Sequence, residues 1–457
     1  MEQLEKLLGN ISDFVWGVPL IVLLVGTGIY LTFRLGFLQI RTLGYAFKLT
    51  FSPNQDHSSE GDISHFQALT TASAATIGTG NIVGVATAIV LGGPGAVFWM
   101  FLAGLFGMAT KYGEAILAVK YRVKDSQGNM AGGPMYYLEH GLKQKWLAVL
   151  FAIFGSLAAF GIGNGTQAKA VSDLMNSTFS IPAWVTGLVL VLFAGLVILG
   201  GIKWIGRVTS YFVPFMALFY ILAGIYVMIV NINLVPEAIA TIFTHAFSGE
   251  AALGGTVGAV IRYGVARGLF SNEAGMGSAP IAAAAAKTDL PGRQALVSMT
   301  QVFFDTLMIC SITGITIVMS GLWEDKSIAA GVLTSEAFGL LIGDIGPYLI
   351  TFGLLFFASS TILGWGYYGE KCFQYLFKSP KAVWGYRTVF VLFIFVGATT
   401  SLDLIWSLAD ILNGLMAVPN LIALIGLSGI IVMETKRLQE KIKEEKAVNS
   451  NSKEAQL

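Results

Sequence analysis

Two glycines and two polar residues, Gly78-Thr79-Gly80-Asn81, interrupt the apolar stretch ASAATIGTGNIVG at 72–84, and this is where chemistry is expected. A helix should come apart there. Inside a bilayer, unpaired backbone survives only when it is buried in protein or lines a cavity, because nothing in hydrocarbon satisfies an N–H or C=O group. The freed groups then form a binding site: the half-helix that resumes near Asn81 aims its N-terminal amides at the gap, where an anionic group can bind. A glycine-mediated helix contact would use similar residues. A second stretch, RYGVARGLFSNEAGMGSAPIAAAAA at 262–286, is interrupted in the same way by Ser271-Asn272-Glu273, Gly275, Gly277 and Pro280.

The elements that hold these breaks must be membrane helices. Of 457 residues, 55% are hydrophobic and 12% charged, and the mean hydropathy is +0.70. Such a composition is too apolar for a soluble chain. The 54 glycines suit helices that pack closely in lipid. A formal net charge of +1 leaves no footprint for nucleic acid, which is not an expected partner; the lipid bilayer is. Cys310 and Cys372 suggest no disulfide framework and read as packing residues. Glu2 and Glu5 precede the first apolar run and no cleavage pattern follows it, so the first span is expected to stay in the protein.

Taking about 20 apolar residues as a crossing, about eleven spans are predicted, at 14–33, 66–91, 96–119, 146–167, 183–202, 208–230, 255–286, 295–320, 348–375, 388–402 and 404–433. The tenth should begin a turn earlier than its apolar run. The eleventh, with Asn413-Gly414 and Pro419, should be kinked or broken. Lys and Arg gather after the odd-numbered spans, whereas the opposite side carries Lys6, Lys169 and Lys326; the N-terminus is therefore expected outside and the C-terminus in the cytoplasm of a multi-pass cell-membrane protein. The tail beyond Glu434 reads as a frayed helix and a disordered end.

The second break lies five spans after the first. Five is odd, so the two broken spans run in opposite directions, as corresponding members of an inverted five-helix repeat do. The fold class expected is an all-α integral membrane protein with one extra N-terminal helix (1–35), two five-helix repeats (66–230, broken at 78–81, and 255–433, broken at 268–277) and a charged tail (434–457).

The sequence also resembles a known family, the alanine or glycine:cation symporters, among amino acid transporters of LeuT-like fold. The resemblance covers nearly the whole chain and rests on EGDISHFQAL (60–69), ATIGTGNIVG (75–84), AGGPMYYLE (131–139), GLFSNEAGMGSAPIAAAAAKTDLPGRQAL (268–296) and LGWGYYGEKCF (363–373). It implies import of a small neutral amino acid of alanine or glycine type coupled to sodium, with no other cofactor and no enzymatic activity. It places the substrate carboxylate at the amides of Thr79 and Gly80, and Gln167, Thr361 and Trp365 against or over the substrate. The ammonium should meet carbonyls near Phe270 and Ser271, at the negative end of a half-helix. A sodium site is implied from the carbonyls of Ala74 and Ile77 and the hydroxyls of Ser360 and Thr361, oxygen ligands of the hard kind this ion needs. Thr76 with Asn81 would form a second, less favoured site. One departure is Gly165, where an alanine-specific member should carry a bulkier side chain; the pocket is expected to admit glutamine.

Ionisable residues within spans are rare and usually functional. Glu273 is expected to neutralise Arg267 or to gate the site, and a proton-coupled carrier with Glu273 as the proton carrier stays open. Asp305, Asp403, Asp410 and Arg262 also lie in or near spans, while Lys111 and Glu114 read as a solvated or salt-bridged pair at the inner end of the third. His65 has no second ligand at metal spacing. A channel would show flux above carrier rates, an enzyme would need a nucleophile or metal motif of kinds the chain lacks, and a non-transporting amino acid sensor would differ only in flux.

Overall fold

The computed structural model describes residues 2–52, 58–125, 127–247, 257–400 and 403–454, and these are almost wholly helical. Seven helices are individually long and apolar enough to cross a membrane: Lys6–Arg34, Lys145–Phe179, Gly201–Val230, Pro291–Ser320, Ile345–Phe377, Pro380–Thr399 and Ser407–Gly426. A bent pair, His65–Thr76 with Gly80–Gly92, makes an eighth. The remaining expected spans are helical but shorter, broken or more polar. The third, Ala96–Lys120, carries Lys111 and Glu114, the fifth is the 16-residue Ala183–Ile198, and the seventh stops at Asn272 before resuming at Pro280. Large apolar side chains such as Leu196, Phe215, Leu222 and Leu392 stay exposed on the outer faces, as a surface solvated by lipid allows.

Local sequence explains the first broken span. Ser64 caps its start with a reciprocal capping box, its Oγ accepting from Gln67 N–H while the Gln67 side chain accepts from Ser64 N–H. The helix ends at Thr76 and resumes at Gly80 with a bend of 54°. The helix loosens to π-turns at Gly80–Gly84, Gly161–Gly165 and Phe303–Cys310, within the second, fourth and eighth spans, the first two of them rich in glycine.

On the face where basic residues gather, a hairpin pairs Val123–Lys124 with Met130–Ala131. Arg122 donates to the carbonyls of Glu60, Ala284 and Ala286, and Asp62 accepts from Met130 N–H at 2.7 Å. The start of the second span and the end of the seventh are stitched together directly by Ile63 and Lys287. Asp125 reaches the ninth span through Lys371 at 2.8 Å, a pair only 5% exposed on either side. Among the described residues these contacts tie the second, seventh and ninth spans together on this face.

Two expectations for the end of the chain need adjusting. The last span, 404–433, is broken as expected, but at Leu427, between Asp403–Gly426 and Ser428–Glu454, and the helix runs on through Asn413-Gly414 and Pro419. The tail is helical to Glu454 because it has something to dock on: Glu434 pairs with Lys120 at 2.7 Å, Leu438 is buried against Gly292, and Glu445 pairs with Arg293. The tenth span begins at Pro380, about two turns before its apolar run.

Candidate functional site

In the first break, side chains take amide protons that a continuous helix would spend on its own carbonyls. Gly78 N–H donates to Asn81 Oδ1 at 2.9 Å instead of reaching back to Ala74, and Asn81 N–H closes on Gly78 O at 3.2 Å instead of on Ile77. The carbonyls of Ala74 and Ile77 are thereby left for other partners. Ser360 Oγ lies 3.2 Å from Ala74 O and Thr361 Oγ1 lies 3.2 Å from Ile77 O, so the four oxygens implied by the resemblance meet in two adjacent pairs. Both hydroxyls also donate to Phe357 O within their own helix, at 2.8 and 3.0 Å. Close packing brings the ninth span in: a Cβ on Gly78 would sit 2.5 Å from Thr361 Oγ1, and one on Gly364 would sit 2.6 Å from Ala75 Cβ.

Gln167 holds the amide expected to receive the substrate carboxylate. Its Oε1 accepts from Thr79 N–H at 3.2 Å, and its Nε2 donates to Thr79 Oγ1 and Ile162 O, both at 3.0 Å. Trp365, 1% exposed, presses on the fourth span where a Cβ on Gly163 would meet it at 2.1 Å.

The second break faces the first directly: a Cβ on Gly80 would lie 3.2 Å from Ser271 Cα. Between them sits Asp305, 0% exposed, which the sequence flagged only as an ionisable group within a span. Its carboxylate accepts from Asn81 Nδ2 at 2.8 Å, from Ser271 Oγ at 3.1 and 3.2 Å, and from Thr306 Oγ1 at 2.7 Å. Hydrogen bonds of this number offset much of the cost of burying a charge. Of the second sodium site suggested from Thr76 and Asn81, Thr76 Oγ1 donates back to Ala72 O and Ser73 O and accepts from Gln301 Nε2, while Asn81 Nδ2 donates to Asp305, and no hydrogen bond links the two side chains among the described residues.

Glu273 and Arg267 are likewise not brought together. Six positions on a helix leave side chains about a third of a turn out of phase, and Glu273 itself leaves the helix at φ 56°. Its carboxylate accepts from Ser278 Oγ at 2.5 Å, while the Arg267 guanidinium lies over the Phe270 ring at 5.8 Å. Lys111 and Glu114 also depart from expectation. They are 2% and 0% exposed, and Glu114 Oε1 accepts from the amides of Gly275 and Gly277 and from Asn420 Nδ2. The third span extends to Lys120, two turns beyond them, and its inner face packs on the second break. An acid and a base three residues apart within an apolar run were the sequence signal for this.

A cavity of 530 Å³ leads to the breaks from the face opposite the hairpin, lined by Thr79, Gly80, Lys169, Asp173, Arg267 and Phe270 among others. A smaller cavity of 100 Å³ beside it joins Arg267 and Phe270 to the N-terminal helix. There Asp13 pairs with Arg262 at 3.1 Å, and Asp410 accepts from Ser12 Oγ at 2.5 Å. Gly165 sits at a tight crossing with the tenth span, since a Cβ on Gly397 would meet its Cα at 2.5 Å. His65 Nδ1 lies 2.6 Å from Gln294 Oε1. Cys310 and Cys372 are buried free thiols, and the side chain of Asp403 lies outside the described residues.

Comparison with known proteins gives this arrangement a family. Residues 1–452 match the sodium:alanine symporter family. The chain is 56% identical over 452 residues to the sodium/alanine symporter AgcS of Methanococcus maripaludis, covering 97% of this chain and 99% of that protein. It is 39% identical over 428 residues to the Bacillus subtilis protein named "Probable sodium/glutamine symporter GlnT", covering 94% and 89%. Its fold is similar to that of MhsT in complex with L-phenylalanine, with a TM-score of 0.58 at 14% identity over 82% of this chain and 98% of that one. A family match along almost the whole sequence, on a helical membrane fold with a broken span, establishes that this chain is a transporter and belongs to the sodium:alanine symporter family.

Proposed function

We propose that the protein imports alanine, or another small neutral amino acid, together with sodium by alternating access. The observation that carries this reading is the pair of freed carbonyls, Ala74 and Ile77, standing 3.2 Å from the hydroxyls of Ser360 and Thr361. Neutral oxygens suit a cation that must also leave. The substrate would lie between the breaks, its carboxylate on the amides of Thr79 and Gly80 and its ammonium on the carbonyls of Phe270 and Ser271, with Gln167, Thr361 and Trp365 around it. Residues 66–230 and 255–433 act as the two repeats, and the segment 1–35 as an addition to them.

In this reading the cavity at Lys169, Asp173 and Arg267 is the outer vestibule and the hairpin closes the cytoplasmic side, in agreement with the placement of basic residues that puts the N-terminus outside. Sodium binds first and orders the breaks, so each ligand strengthens the other's binding. The relatives named for alanine and for glutamine frame the choice of substrate. Labelled alanine should accumulate in proteoliposomes when an inward sodium gradient is imposed, and an absence of sodium-driven uptake would contradict the proposal.

Gly165 is the position to test for substrate size. It ends the π-turn Gly161–Gly165, directly before the helix Thr166–Phe179 whose residues Lys169, Ala170, Asp173 and Leu174 line the vestibule. Gly165→Met is expected to abolish glutamine uptake and to spare alanine uptake in the same vesicles. Unchanged uptake of both would remove Gly165 from the selectivity.

A further inference from the structure

Helix geometry bonds each N–H to the carbonyl four residues earlier. An uninterrupted seventh span would therefore bond Ala274 N–H to Phe270 O and Gly275 N–H to Ser271 O, saturating the two carbonyls proposed to receive the substrate ammonium. Neither bond forms. Ala274 N–H donates to Asn272 Oδ1 at 2.9 Å, and Gly275 N–H donates to Glu114 Oε1, from the third span, at 3.1 Å. Glu114 Oε1 also accepts from Gly277 N–H at 3.0 Å and from Asn420 Nδ2 at 2.7 Å, and Asn420 donates as well to Gly275 O.

The backbone is shaped for this oxygen. Glu273, Gly275 and Gly277 have φ of 56°, 90° and 84°, and these left-handed residues at alternate positions turn the amides of Gly275 and Gly277 toward the one oxygen, while Met276 N–H closes on Glu273 O. Glycine is needed at 275 and 277 on two counts: positive φ, and Cβ atoms that would fall 2.7 Å from Leu24 and 2.6 Å from Pro134. The carboxylate in the cradle is 0% exposed. Lys111, one turn earlier on the same helix, is also buried, and its ammonium nitrogen has no hydrogen-bond partner among the described residues.

We propose that Glu114, assisted by Asn272, is a positioning residue for substrate: it draws off the amide protons that would close the helix and so leaves the carbonyls of Phe270 and Ser271 free for the ammonium. This rests on the amino acid symport reading above. Glu114 touches neither substrate nor sodium in that account. Its removal should weaken recognition of the ammonium end selectively, because the Thr79 and Gly80 amides and the Ser360–Thr361 pair belong to other elements.

The test is alanine uptake at saturating sodium by purified, reconstituted Glu114→Ala, Glu114→Gln and Asn272→Ala, with inhibition by propanoate, which has the carboxylate and lacks the ammonium. Glu114→Ala and Asn272→Ala are expected to raise the alanine KM about tenfold or more, the loss of one good polar contact to a charged group. Vmax should change less, Glu114→Gln should return KM toward wild type because it keeps an acceptor oxygen, and propanoate should inhibit all variants as it does the wild type. Folded Glu114→Ala with wild-type KM, or propanoate inhibition weakened in step with alanine, would overturn the inference. Should Glu114→Ala not fold, Asn272→Ala at wild-type KM overturns it equally. Wild-type protein without sodium-driven uptake would instead sink the symport reading.

Discussion

Thr361→Val should raise the sodium concentration needed for half-maximal alanine uptake roughly ten- to a hundredfold, the cost of about 1.5–3 kcal/mol for losing one polar contact to a charged group. Valine matches threonine in shape and branching, so the change puts a methyl group where the hydroxyl stood and leaves the rest of the side chain in place. The hydroxyl stands 3.2 Å from Ile77 O and 3.0 Å from Phe357 O. If it served only its own helix, valine would leave the sodium dependence unchanged, since a hydroxyl bonded back to its helix adds nothing to ion binding. Thr361→Ser, which retains the hydroxyl, should stay near wild type. Uptake measured over a sodium titration decides between these outcomes.

The second large effect concerns the face that carries the hairpin. Asp125 and Lys371 form a pair 5% exposed on each side, and Gln374 Nε2 adds a second contact to the same carboxylate oxygen at 3.1 Å. Asp125→Asn leaves the Lys371 ammonium buried without its charge partner, and breaking a buried pair from one side costs about 3–5 kcal/mol. The thermal unfolding midpoint of the detergent-solubilised protein should fall accordingly. Burial alone would push the Asp125 carboxyl up, but the Lys371 ammonium and the amides of Gln127 and Asn129 outweigh it and hold it below the ordinary carboxylate range. A carboxyl lowered by folding stabilises fully above its unfolded value, about 4, and that stability is lost as pH falls through the lowered value. Wild type should therefore lose stability on acidification below about pH 4, and Asp125→Asn should lose less over the same range. An equal loss in both would show that other carboxylates govern acid unfolding.

Both breaks were legible because glycine and polar residues within apolar runs can mean little else than interrupted helix or close packing, and each interruption is local. The Ala74, Ile77, Ser360 and Thr361 grouping was reachable only through resemblance, since 283 positions separate Ile77 from Ser360 and no periodicity links them. Asp305 and Glu114 show the limit of reading along the chain. Each was visible as an ionisable residue in a span, but which backbone amides and hydroxyls it satisfies depends on how the third, seventh and eighth spans cross. The proposed Glu273–Arg267 pair failed for a related reason: proximity in sequence was taken for proximity in space across a point where the helix ends. The tail was misjudged from its polarity, because Leu438 supplied a buried anchor that composition alone understates.

The central claim is that sodium, held where the first broken span meets the ninth, drives amino acid uptake. The most direct measurement is accumulation of labelled alanine in proteoliposomes of the purified protein, with inward sodium and inward proton gradients imposed separately. The account predicts uphill accumulation with the sodium gradient alone and none with the proton gradient alone. Accumulation driven by protons in the absence of sodium would contradict it and move the coupling role to a buried carboxylate such as Glu273.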